Sequence, residues 1–243
     1  LNDREKTSVI KHTINTVEKR VPICIGIGGN NTMAIVDKIK NTNFSNISAI
    51  LSVSPYYNKP SQEGIFLHYK LISESSNVPI ILYNVPGRTS SNIEASTTLK
   101  LASKFSNIIG IKEASGDLRQ ISQIIKNKPK NFNVVSGDDD LTNNIIKNGG
   151  DGVISVVGQC FPELFSKMVH EALNKNFSIS DKISFELSNF IELLFKNGNP
   201  SGIKSALSHL NICENVLRLP LTSLKEDDYN ELISELLRIK KIS

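Results

Sequence analysis

Six short apolar runs, each preceded by a stretch of helical periodicity, constrain what this chain can fold into. The runs are Val21–Gly26, Ala49–Ser54, Ile80–Asn84, Ile108–Lys112, Phe132–Ser136 and Gly152–Ser155. Each is the length of a strand and rich in Ile and Val, and none alternates cleanly with polar residues. That is the pattern of strands covered on both faces in a parallel sheet. Between them, helical spacing runs over Glu5–Lys19, Thr32–Lys40, Gln62–Ser75, Ile93–Ser103, Leu118–Lys126 and Leu141–Lys147. The connections are short, so the units are βαβ. Helical patterns then fill Pro162–Leu173, Ile179–Phe195, Gly202–Leu210 and Glu226–Ile239. The expected class is α/β, and the pattern alone is compatible with an open doubly wound sheet or with a barrel. The full glycine fingerprint of a dinucleotide fold is missing. The nearest stretch, Gly26-Ile27-Gly28-Gly29-Asn30, lacks its spacing.

Lys112 is the residue with the most chemical content. It ends the run Asn107-Ile108-Ile109-Gly110-Ile111-Lys112. Burying an ammonium is costly, and desolvation draws a lysine amine from about 10.4 toward neutrality. A neutral amine is the nucleophile that forms a Schiff base with a ketone. The bland reading is a lysine that snorkels from the strand end to solvent. Two neighbouring strand ends favour the chemical one. Val78–Asn84 closes on Tyr83, a phenol able to shuttle protons, and Arg88 follows within Val85-Pro86-Gly87-Arg88-Thr89 as a planar fork for a carboxylate. Ala49–Ser54 runs into Pro55-Tyr56-Tyr57-Asn58-Lys59-Pro60. An amine, phenols and a carboxylate binder therefore gather at the same ends of several strands.

At these residues the chain resembles the pyruvate-dependent Schiff-base aldolase/lyase family. Tyr83–Thr89, Ile109–Gly116, Pro55–Asn58, Ser136–Asp139, Gly149–Ser155, Asn199-Pro200 and Arg218–Pro220 match it in order, over essentially the whole chain. The resemblance implies an (β/α)8 TIM barrel with a C-terminal helical extension. Residues 1–157 would be a partial barrel holding strands three to eight of the family pattern. Residues 158–243 would be the last barrel helix and the helical region. The family pattern carries two further strands and a Gly-Thr-Thr-Gly-Glu segment ahead of Leu1, roughly fifty residues at ordinary element lengths. N-terminal truncation is the corresponding expectation.

The resemblance also implies a reaction. Pyruvate would form an imine with Lys112, and its enamine would attack L-aspartate 4-semialdehyde, in diaminopimelate and lysine biosynthesis. Tyr83 and Tyr57 would move protons, with Tyr57 reaching a neighbouring subunit of a homotetramer. Arg88 would hold the semialdehyde carboxylate, and the backbone at Gly137 and Ile154 would line the pyruvate pocket. Glu113 is read as structural, and Asp138 and Asp139 as loop-fixing or capping residues. N-acetylneuraminate lyase and 2-keto-3-deoxy sugar acid aldolase chemistry are the enzymatic alternatives, and an inactive remnant kept for assembly is the non-enzymatic one. Arg88 suits an amino acid carboxylate better than a polyol. Feedback-inhibited members bind L-lysine between subunits. Here Asn30 and Tyr56 match that site, whereas Asp3 and Lys6 stand where histidines are usual and Ala34 replaces a glutamate. Weak or absent sensitivity to L-lysine is therefore expected.

Composition excludes other classes. The net charge of +4 is mild, and the lysines are spread along helix faces without an arginine-rich arm, so no nucleic-acid partner is expected. No apolar run reaches the length of a membrane span. The cysteines Cys24, Cys160 and Cys213 lack metal-ligand spacing, as do the scattered His12, His68, His170 and His209. A cytoplasmic protein with reduced thiols, no metal and no cofactor is the expectation.

Overall fold

The computed structural model describes residues 1–241. Its described residues form two compact units, residues 1–135 and residues 136–241.

The first unit alternates helix and strand. Its elements are α1 (Asp3–Val17), β1 (Cys24–Gly26), α2 (Thr32–Lys40), β2 (Ala49–Val53), α3 (Gln62–Ser75), β3 (Ile80–Asn84), α4 (Pro86–Thr89), α5 (Ala95–Lys104), β4 (Ile108–Glu113) and α6 (Leu118–Asn127). Strand β5 (Asn133–Ser136) closes it at the unit boundary. In the second unit come α7 (Thr142–Lys147), β6 (Gly152–Val153), α8 (Pro162–Leu173), α9 (Phe177–Phe195), α10 (Ser201–His209) and α11 (Glu226–Lys240). The strands lie in sequence order, β1-β2-β3-β4-β5-β6, and the pairs from β1 to β4 are parallel. The helices between β1 and β4 are thus crossovers between neighbouring strands.

Local chemistry explains the helix starts. Asn2 and Glu5 form a reciprocal capping box on α1, with contacts of 2.9 and 2.7 Å. Asn31, Ser61 and Asp117 cap α2, α3 and α6 through side-chain oxygens. The sheet is apolar on both faces where it is covered: Ile50, Ile80, Leu82 and Ile111 are all fully buried. The edge strand is shorter than expected. Val21 is exposed, and β1 begins only at Cys24. Likewise β6 ends at Val153 rather than Ser155. The second unit has its own core, in which Phe165, Leu187, Phe190, Leu194, Leu232 and Leu236 are buried and the Phe161 and Phe190 rings meet edge-on at 5.1 Å.

Strand β4 is seated tightly. A methyl group on Gly110 would come within 2.7 Å of the Asn133 carbonyl oxygen on β5. That backbone leaves no room for a side chain, and glycine lets the two strands approach.

His68 belongs to the packing between α2 and α3. It is 4% exposed, its Nδ1 lies 2.8 Å from Thr32 Oγ1, and its Nε2 has no hydrogen-bond partner. Burial pushes its imidazole down to about 4. The folded state then resists a proton that the unfolded chain accepts below about pH 6.5. The stability contributed by the neutral ring is present above that pH and is lost as the pH falls toward 4. Between about pH 7 and pH 5 the expected loss is about 2 kcal/mol, read as a lower urea midpoint. A His68→Gln variant should show a flatter dependence. An unchanged slope would place the titration elsewhere.

Candidate active site

The carboxyl ends of β2, β3 and β4 present their last residues at one level. Val53 is in register with Tyr83, and Tyr83 with Lys112. Tyr83 and Lys112 point to the same face, because the Lys112 Nζ sits 4.4 Å from the centre of the Tyr83 ring. Lys112 is half-buried, whereas its neighbours Ile111 and Glu113 are fully buried. Burial pushes the Tyr83 phenol up, and the Arg88 guanidinium partly offsets this. The phenol is therefore protonated at neutral pH and close enough to Arg88 to feel its charge.

Two loops rise from these strand ends. After β3 the chain enters α4, a single helical turn that lies outside the spans of helical periodicity. Pro86 at its first position lacks an N–H that the helix would leave unpaired. Thr89 is buried, and its hydroxyl donates to the carbonyls of Val85 and Ser91. This holds the turn so that Arg88 faces outward, exposed. The loop after β2 carries Tyr56 and Tyr57. Tyr57 has a φ of 72° and is 86% exposed, and its N–H donates to the Thr89 carbonyl at 3.2 Å. The Ser54 and Ser91 hydroxyls meet at 2.9 Å beneath. The phenol loop and the arginine turn are thus tied to each other. The first unit brings Lys112, Tyr83 and Arg88 together, with the Tyr57 backbone tied to the Arg88 turn.

The remaining sequence-derived residues have the following settings. Asp3 is engaged by two cations, Lys6 at 3.4 Å and Lys38 at 3.8 Å. Asn30 Nδ2 donates to the Tyr56 carbonyl at 3.2 Å, and Asn58 returns a bond to the Asn30 carbonyl at 3.1 Å. Ala34 is exposed on α2. In the second unit, Gly137 follows Ser136, whose carbonyl accepts from the Ile154 N–H at 2.9 Å. The Ile154 amide is therefore committed to the strand pairing. Asp139 fixes the following loop: its Oδ2 accepts from the Val156 and Val157 N–H groups, both at 3.0 Å. Asp138 Oδ1 accepts from the Asp140 N–H. Both aspartates hold backbone, as expected of them.

One set of residues carries no local signal in the sequence. Glu113 is fully buried behind Lys112 and is bonded to Asn84, Ser115 and Gln120. Its partners are two to 29 positions away, so only the fold assembles them. A cavity of about 650 Å³ in the same unit is lined by Val21–Ile23 and Ile47-Ser48, which precede β1 and β2. It lies at the amino ends of the strands, opposite the lysine. In parallel α/β sheets chemistry is held at the carboxyl ends. Among the described residues no group of His, Cys, Asp and Glu side chains could hold a metal ion, and no helix is long and apolar enough to cross a membrane.

The α/β sheet thus carries a half-buried lysine and a phenol side by side at its strand ends, the arrangement that amine-based carbonyl chemistry requires. The chain belongs to the dihydrodipicolinate synthetase family, whose model matches residues 1–239. It is 49% identical over 232 residues to the 4-hydroxy-tetrahydrodipicolinate synthase of Flavobacterium psychrophilum, covering 96% of this chain and 79% of that protein. It is also 49% identical to the synthase of Parabacteroides distasonis, over 98% of this chain and 80% of the relative. The crystal structure of dihydrodipicolinate synthase from Aquifex aeolicus superposes with a TM-score of 0.95 at 34% identity, over 99% of this chain and 82% of that one.

Proposed function

We propose that this protein condenses pyruvate with L-aspartate 4-semialdehyde to give 4-hydroxy-tetrahydrodipicolinate, through an imine on Lys112. The observation that carries the reading is the Lys112 amine 4.4 Å from the Tyr83 ring at the end of β4. The neutral amine adds to the C2 carbonyl of pyruvate. A C–N bond forms, and the carbonyl oxygen leaves as water after protonation. The methyl group then loses a proton to give the enamine, with the iminium nitrogen taking up the electron pair. The enamine carbon attacks the aldehyde of the second substrate. Its amine then displaces Lys112 from the imine, closing the ring. Tyr83, protonated at neutral pH, is suited to relay protons in these steps, and Tyr57 to extend the relay. Arg88, charged and exposed beside Tyr83, is suited to the semialdehyde carboxylate. Gly137 and Ile154 are assigned to the pyruvate pocket. The six strands take six places in an eight-stranded barrel over residues 1–157, and residues 158–243 supply the last barrel helix and the helical extension.

The test is a steady-state assay with pyruvate and either aspartate semialdehyde or sugar-derived aldehydes. Turnover of the semialdehyde is expected. A preference for the sugar aldehydes would move the protein to the lyases and aldolases of the same chemistry.

Assembly follows from Tyr57. A phenol 86% exposed on a proline-bracketed loop suits a contact with a second copy. A homotetramer is expected on sedimentation, and a fully active monomer would remove the role given to Tyr57.

Regulation follows from the α1 surface. Asp3 is already paired with Lys6 and Lys38, so an incoming ammonium competes with two resident cations. Ala34 supplies no carboxylate in compensation. L-Lysine added at sub-saturating pyruvate should leave the initial rate nearly unchanged, and strong inhibition would identify Asp3 as a binding contact.

A further inference from the structure

Glu113 is enclosed by donors. Asn84 Nδ2 lies 3.1 and 3.2 Å from its two oxygens. The Ser115 N–H donates at 2.8 Å and Gln120 Nε2 at 3.1 Å. The direction of these bonds is imposed by the backbone. The Ile93 N–H can only donate, and it donates to Asn84 Oδ1 at 2.9 Å. That turns the Asn84 amide so that its NH2 faces Glu113. Asn92 joins the group, accepting from Asn84 at 2.8 Å and donating to Gln120 Oε1 at 2.9 Å. Burial pushes the Glu113 carboxyl up and these hydrogen bonds pull it back; with donors facing both oxygens, the ring matches the ionised form, an acceptor at each.

The ring sits where the strand register needs support. Ile80 pairs with Ile108, but Ile81 pairs with Gly110, so β4 carries an extra residue at Ile109. The bulge interrupts the ladder locally, so the rungs beyond it, from Ile81–Gly110 to Asn84–Glu113, hold the register that places Lys112. A slip of one residue would place Ile111 or Glu113 opposite Tyr83 and turn Lys112 to the other face of the sheet. Asn84 and Glu113 form the last rung of the observed register, directly after Tyr83 and Lys112.

We propose that Glu113 is a positioning residue for Lys112: its buried carboxylate, gripped by Asn84 and Gln120, locks the register that presents the amine beside Tyr83. The inference rests on the Schiff-base role proposed for Lys112. A Glu113→Gln variant keeps the shape but sets an NH2 group against Asn84 in either orientation, and against Ser115 or Gln120 beside it, donor facing donor. The experiment is rapid trapping of the pyruvate imine with borohydride, read by mass spectrometry per folded molecule. Glu113→Gln should lower the saturating trapping rate by about tenfold and shift the half-saturating pyruvate concentration by less than about twofold. The double variant Asn84→Asp/Glu113→Gln restores one donor–acceptor pair at the same rung and should recover most of the rate. A general loss of packing would not be rescued by that exchange. If Glu113→Gln does not accumulate folded, Gln120→Leu removes one grip and should slow trapping by about threefold. Wild-type rates in the folded single variant, or no gain in the double variant, would overturn the inference. An untrapped wild-type protein would instead remove the Schiff-base reading itself.

Discussion

Replacing Lys112 by alanine is expected to end imine formation and to lower turnover by on the order of a thousandfold or more. Lys112 is the amine that lies over the Tyr83 ring, and the phenol of Tyr83 and the guanidinium of Arg88 cannot take its place as the nucleophile. Lys112→Arg makes the result specific. It retains a cation that can lie over the Tyr83 ring, as the lysine does at 4.4 Å. A guanidinium does not lose its proton near neutral pH and cannot supply the electron pair. Both variants should therefore fold and both fail. Borohydride with pyruvate should label the wild-type protein on the peptide containing Lys112 and label neither variant. An active Lys112→Arg protein, or a label on another lysine, would show that the cation serves structure and that the chemistry lies elsewhere.

Arg88→Ala should separate the two substrates. The arginine is exposed at the outer end of α4, and its turn is held by the buried Thr89 rather than by the guanidinium. Truncation is therefore expected to leave the fold intact. Losing a charge-assisted carboxylate contact should raise the KM for aspartate semialdehyde by about ten- to a hundredfold. The KM for pyruvate should change much less, because in the proposed mechanism pyruvate is held as the imine on Lys112. Steady-state kinetics with each substrate varied in turn decides the matter. Equal effects on both constants would assign Arg88 to the pyruvate carboxylate instead.

The pairing of Lys112 with Tyr83 was more legible in the sequence than the architecture that supports it. Lys112 and Tyr83 each close an apolar run, and a polar group at the end of a buried strand is a local signal. The structure places the two in one register pair. Helices with clear caps were also readable: α2 and α3 begin after Asn31 and Ser61 and occupy the spans that periodicity predicts. The turn α4 was not, because one helical turn built on Pro86 and a buried Thr89 has no periodicity to detect. Strand ends blurred where burial stops, at Val21 and beyond Val153. The grip on Glu113 was invisible for a different reason. Its amide partners Asn84, Asn92 and Gln120 look like ordinary polar residues until the fold closes the distance between them.

Gly110 has a consequence for how this protein can change over time. The lateral place of β4 depends on an atom that glycine lacks, since any side chain there would strike the Asn133 carbonyl. A randomised library at position 110 selected for function should return glycine alone. The side chains of Arg88 and Tyr57, by contrast, are exposed. On the proposed chemistry, a new aldehyde preference would come from altering those outer positions while the strand beneath keeps Lys112. Diversification and inheritance are assigned to different layers of the same unit.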